Sequence, residues 1–255
     1  MYGKEKTMSK IKPSAFVLGL TAMSVPVMVQ AEGAHWDYSG ETGPDNWGKL
    51  DAGYAACETG KNQSPIDLSR FVEADLDPIA FAYKPGTTEI LNNGHTVQIN
   101  YAAGSNITVD GRAFELKQFH FHAPSENTIN GKQFPLESQL VHADKDGNLA
   151  VVAVMFEMGR NNALLSPLWM KMPNKEGDKN ALPKPYDVSA MLPSDRDYYR
   201  FDGSLPTPPC SEGVLWFVLK QPAIASKPQI DRFTEVMGHP NNRPVQPLNE
   251  REVLK

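Results

Sequence analysis

The chain has 255 residues, 40% of them hydrophobic, which is enough to bury one substantial core, and no low-complexity linker divides it. Its 25 basic and 30 acidic residues give a net charge of −5 without a dense Lys/Arg run, which argues against nucleic acid as a partner.

At the N-terminus, Lys4, Lys6, Lys10 and Lys12 precede an apolar stretch from Ala15 to Val29, and Val29-Gln30-Ala31 has the form of a signal-peptidase site. Residues 1–31 therefore read as a signal peptide and 32–255 as one mature domain, exported to the periplasm or secreted. The stretch is short for a membrane span and is broken by Pro26, so no stable membrane insertion is expected after cleavage. Cleavage removes four Lys and one Glu and leaves a more acidic product. The only cysteines, Cys57 and Cys210, both reach an oxidising compartment, where a disulfide between them is expected; the alternative is two separate buried thiols.

From Glu32 to about Asn62 the chain is rich in Gly, Pro and aromatic residues and shows no sustained period, so it reads as an irregular lead-in packed by its rings. Segments of strand composition follow at 79–83, 96–101, 107–109, 112–116, 117–122, 136–143, 149–157 and 214–221. Helical signals are confined to 163–171 and 227–237, the latter with Ile230, Phe233 and Val236 at helical spacing. The fold class is mainly β: one domain with peripheral short helices.

Within 117–122, strand alternation puts His120 and His122 on one face and Phe119 and Phe121 on the other, which makes a two-ligand metal edge. A His-x-His pair is a weak signal by itself. Gln118 strengthens it, because it shares the histidine face and can accept a ring N–H, fixing which nitrogen turns to a metal. On 136–143 the same parity groups Glu137, Gln139 and Val141 and puts His142 on the opposite face. If Glu137 faces the site, Gln139 completes the metal set: its carboxamide oxygen is available to zinc while its NH₂ donates to Glu137, although an amide is a poorer ligand than imidazole.

Five ordered phrases carry a resemblance: Gly60-Lys61-Asn62-Gln63-Ser64-Pro65, Asn92-Asn93-Gly94-His95, Gln118-Phe119-His120-Phe121-His122-Ala123-Pro124-Ser125-Glu126, Pro208-Pro209-Cys210-Ser211-Glu212-Gly213 and Asn242-Arg243-Pro244-Val245-Gln246-Pro247-Leu248. From His35 to Lys255 the chain resembles the bacterial, periplasmic-type α-carbonic anhydrases. The resemblance implies a large, mostly antiparallel twisted sheet, a Zn2+ cofactor at the base of a cleft, and reversible hydration of CO2 to bicarbonate. It implies an apolar CO2 wall of Val141, Val151, Leu205, Val214 and Trp216, which equally suit an ordinary core. It makes His95 the proton shuttle, with Tyr38 and Asn93 ordering the water chain, and it supports the Cys57–Cys210 disulfide. A homodimer is left open.

Two departures stand against this agreement. The family's third zinc ligand is a histidine, and this chain has Gln139 there. The family also has two consecutive threonines before its paired prolines. Here the first is Pro206, which has neither a hydroxyl nor an N–H to offer. Glu126, matching the glutamate that pairs with that threonine, is expected to lack its partner, and Thr207 lies one residue out of position. Reduced turnover is expected, the alternative being a non-catalytic binding protein of the same family.

Overall fold

A computed structural model describes residues 1–3 and 33–255. The signal-peptide reading therefore falls almost wholly outside the described residues. Gly33–Lys255 forms one compact unit.

Nine principal strands carry it: β1 (Thr87–Asn92), β2 (Val97–Tyr101), β3 (Asn106–Val109), β4 (Arg112–His122), β5 (Leu136–Ala143), β6 (Leu149–Gly159), β7 (Tyr198–Ser204), β8 (Glu212–Leu219) and β9 (Ala223–Ser226). Through its centre the sheet runs β1-β2-β4-β5-β6-β8-β7; short strands at both edges and three strands paired off this path bring it to 13 among the described residues. Most neighbours are antiparallel, but β6 is parallel to both β8 and β9, and Val253–Leu254 is parallel to Phe71–Val72, so the sheet is mixed.

The segments 112–116 and 117–122, separate by pattern, are one continuous strand. Opposite β5, Val141 pairs with Gln118 and His142 with Leu116, leaving Lys117 as an extra, exposed residue. Such a bulge resets strand parity. Phe114 and Leu116 before it, and Phe119 and Phe121 after it, consequently all enter the same core cluster. Without that reset, either Phe114 and Leu116 or the two histidines would face the wrong side.

One face of the sheet carries this larger core, which α1 (Lys227–Met237) covers with Ile230, Phe233 and Met237. The helix begins at a capping box between Ser226 and Gln229, has a proline in its first turn and stops at Gly238, whose φ of 74° is left-handed. The second predicted helix, 163–171, shrinks to one turn at Ser166–Trp169. Asn162 caps the preceding turn by accepting from the Leu164 N–H, and Pro173 follows closely. The lead-in is less irregular than its composition suggests: single helical turns occur at Gly40–Thr42, Trp47–Leu50, Ala52–Tyr54 and Ala56–Thr59.

Strands β1, β7 and β9 lack a sequence signal. In Tyr198–Ser204 the pattern is interrupted by Arg200, Asp202 and Gly203, and pairing with β8 supplies the order that composition does not.

Candidate functional site

His120 and His122 sit at the C-terminal end of β4, on the face away from the larger core. Across the ladders, His120 lies opposite Gln98 of β2 and Gln139 of β5, and His122 lies opposite Glu137. The two rings meet edge to face, 5.0 Å between centroids.

Each imidazole is fixed through Nδ1. That of His120 donates to Gln118 Oε1 at 2.9 Å, and that of His122 to the backbone carbonyl of Asn241 at 2.6 Å. With both Nδ1 atoms spent, both Nε2 atoms are left for the site. His122 Nε2 is buried without a hydrogen-bond partner, 3.5 Å from Glu126 Oε2. Burial, followed by the neighbouring His122, holds the His120 pKa well below the usual imidazole value, which keeps that ring neutral. Two imidazoles tethered at Nδ1, one with an orphaned buried nitrogen, are the donor arrangement a borderline-soft divalent cation takes.

Gln139 lies beside the two imidazoles, opposite His120. Its Nε2 donates to Glu137 Oε1 at 3.1 Å and to Glu126 Oε2 at 2.9 Å. Because the NH₂ end is turned to carboxylates, the oxygen is the end left for the imidazoles. No group of three His, Cys, Asp or Glu residues that could hold a metal exists among the described residues.

Glu126 lacks a hydroxyl partner at position 206, as expected with Pro206 there, and takes Gln139 as a donor instead. Besides Gln139, it accepts from the backbone N–H of Arg243 at 3.0 Å through Oε1. Glu137 takes the backbone N–H groups of Glu126 and Asn127 and the Asn127 side chain. Burial and the adjacent Glu126 raise the Glu137 pKa.

The five residues of the expected apolar wall share one cluster on this face: Val151, Val214 and Trp216 buried, Val141 and Leu205 packed against them. Thr207 and buried Pro206 belong to the loop after β7, tied by Leu205 N–H to Ser211 and Cys210 N–H to Thr207. No hydrogen bond on the Thr207 side chain connects it to the histidines.

His95 stands on the turn between β1 and β2, where Asn93 Oδ1 accepts from the N–H groups of His95 and Thr96. Its ring stacks on Trp36 at 3.7 Å and meets Tyr38 edge-on at 6.4 Å. Partial burial lowers its pKa. Burial, then the nearby Glu126, raises that of Tyr38 well above the usual phenol value. Asn93 thus shapes the turn that presents His95.

The disulfide Cys57–Cys210 is formed. It is braced by Gln63 Nε2 donating to the Cys210 carbonyl and by Arg243 Nη2 donating to that of Cys57, each at 2.9 Å.

Asn241 escapes sequence reasoning. Its backbone carbonyl holds His122, its Nδ2 donates to the carbonyls of His95 and Phe121, and its Oδ1 accepts from the Ala123 N–H. The main-chain half of that role leaves no side-chain signature; the neighbouring phrase Asn242-Arg243-Pro244 was the nearest signal.

The chain matches the model of the eukaryotic-type carbonic anhydrase family over residues 42–255. It is 48% identical over 224 residues to a carbonic anhydrase of Pectobacterium atrosepticum, covering 88% of this chain and 92% of that protein. Among solved structures it is similar to the α-carbonic anhydrase of Thermovibrio ammonificans bound to the inhibitor sulfanilamide, at 50% identity and a TM-score of 0.87 over 88% of this chain and 100% of that one. It is also similar to dioscorin complexed with ascorbate, at 32% identity and a TM-score of 0.81 over 86% and 97% of the two chains.

Proposed function

The chain belongs to the eukaryotic-type carbonic anhydrase family, and from that premise we propose that it is a zinc-dependent carbonic anhydrase with reduced turnover, exported to the periplasm after cleavage near Ala31. The observation that carries this reading is the pair of imidazoles with both Nδ1 atoms tethered and the buried His122 Nε2 unpartnered.

His120 Nε2, His122 Nε2 and Gln139 Oε1 would hold the ion. Bound there, zinc would lower the pKa of a water from 15.7 to about 7 and so supply hydroxide for attack on CO2 at neutral pH. The chain's own groups do the rest. Gln118 and Asn241 keep the imidazoles oriented, and Val141, Val151, Leu205, Val214 and Trp216 offer CO2 an apolar surface that excludes water. His95 takes the released proton outward from a turn shaped by Asn93, beside Tyr38.

Turnover is reduced for two reasons. An amide binds zinc less tightly than imidazole, and Pro206 donates no hydrogen bond above the site. Loss of one pre-organised donor typically costs on the order of 10²–10³ in rate. The test is zinc content of the purified mature protein together with a CO2 hydration assay. Near-stoichiometric zinc and a rate above the uncatalysed background support the reading; a metal-free, inert protein overturns it.

A second reading is a binding protein of the same fold without hydration activity. The similarity to dioscorin, whose structure is complexed with ascorbate, favours it. Efficient CO2 hydration by the native chain would end this reading.

A further inference from the structure

Gln139, Glu126 and Glu137 are all essentially inaccessible to solvent, at 1%, 1% and 0%. Two buried carboxylates on facing elements repel unless something donates between them. A carboxamide can do so from one atom, because its nitrogen carries two hydrogens. In this chain that atom is Gln139 Nε2, 2.9 Å from Glu126 and 3.1 Å from Glu137.

The dependence is unequal. Glu137 has three other donors, from Glu126 and Asn127. Glu126 has the Arg243 N–H on Oε1, and on Oε2 it has Gln139.

We infer that Gln139 is a positioning residue that clamps Glu126 to Glu137 and in doing so turns its own oxygen toward His120. The functional meaning of that orientation rests on the reading of Gln139 as the third corner of the site, but the clamp itself does not require a metal. Histidine cannot reproduce it: an imidazole that gives one nitrogen to the site keeps one N–H, enough for one carboxylate and not two. The glutamine is thus matched to its surroundings, and replacing it with a third imidazole strips Glu126 of a donor.

The experiment is a double-mutant cycle on the metal-free mature protein, using Gln139→Met and Glu126→Gln singly and together, read by urea unfolding. Gln139→Met should raise the unfolding equilibrium constant on the order of 10- to 100-fold, as expected when a buried charged acceptor loses its donor. In the Glu126→Gln background the same change should cost several-fold less. On the native chain, the Gln139 side-chain amide protons should exchange slowly and their ¹⁵N-correlated signals should move on Glu126→Gln. Additive effects within about twofold, or amide protons that exchange as fast as those of an exposed glutamine, overturn the inference. The native-chain measurement decides the matter even if Gln139→Met does not fold. A native chain that binds no zinc would overturn the zinc reading and leave the outcome of this cycle unchanged.

Discussion

His122 donates its Nδ1–H to the backbone carbonyl of Asn241 over 2.6 Å. His120, two residues earlier on the same strand, donates instead to a side chain, that of Gln118. The two imidazoles are therefore unequally exposed to mutation. Removing an outer partner of a metal-bound histidine typically lowers metal affinity 10- to 100-fold. Gln118→Ala is expected to weaken zinc binding by about that factor with little effect on stability, because Gln118 is only half-buried. Asn241→Ala should do the reverse. It keeps the carbonyl that holds His122 but loses the side-chain bonds to Ala123, Phe121 and His95, so it should cost stability first. Chelator competition and denaturant unfolding on both variants separate the effects.

On the other face of β5, His142 is fully buried and meets the Tyr83 hydroxyl at 2.7 Å through Nε2. Desolvation lowers its pKa from the ordinary 6.5 to about 4. Between those values the unfolded chain binds a proton that the folded chain does not, so stability rises with pH across this window and is lost as pH falls through it. Complete loss by pH 4 amounts to roughly 3 kcal/mol. Unfolding midpoints measured from pH 7 to pH 4 should show this slope, and His142→Phe should reduce it. A native slope of zero would mean that His142 does not stay neutral in the folded state.

How far the sequence carried this structure depends on whether the controlling interaction is local. Strand β5 and helix α1 were legible to the residue, because strand composition and the helical spacing of Ile230, Phe233 and Val236 lie within the segments themselves. The bulge at Lys117 was not, since only the partner strand determines which residue is extra. The convergence of His120, His122, Gln118, Glu137 and Gln139 followed from parity on two strands. The Gln139–Glu126 contact did not, because Glu126 belongs to the connection between β4 and β5, whose path is set by Glu137 accepting two of its backbone N–H groups. Asn241 was invisible for a different reason, as a main-chain oxygen carries no sequence pattern.

The disulfide closes a sequence separation of 153 residues, and a cross-link over so long a loop should stabilise the fold by roughly 4–5 kcal/mol on the chain-entropy model. Cys57→Ser with Cys210→Ser is expected to lose about that much in denaturant unfolding. The site should feel the loss as well, since Arg243 bonds the Cys57 carbonyl with its side chain and Glu126 with its backbone N–H. Zinc affinity of the disulfide-free variant should fall along with its stability. Unchanged affinity would show that Arg243 holds Glu126 independently of the bridge.

On the proposed reading, Gln139 and Pro206 together limit turnover. Gln139→His supplies a third imidazole but removes one of the two hydrogens that Gln139 shares between Glu126 and Glu137. Pro206→Thr supplies a hydroxyl and an N–H, yet in the native background Glu126 Oε2 is already occupied by the amide. Each single change therefore repairs one deficiency and meets an obstacle left by the other residue. Together the obstacles vanish, because the hydroxyl enters as the amide leaves. CO2 hydration by the zinc-loaded double variant should exceed that of the native chain on the order of 10²–10³-fold, the usual value of one pre-organised donor. The product of the two single gains should fall well short of this. Stopped-flow kinetics on the four proteins at matched zinc occupancy measures the difference. Single gains that multiply to the full effect would show that the two positions act independently.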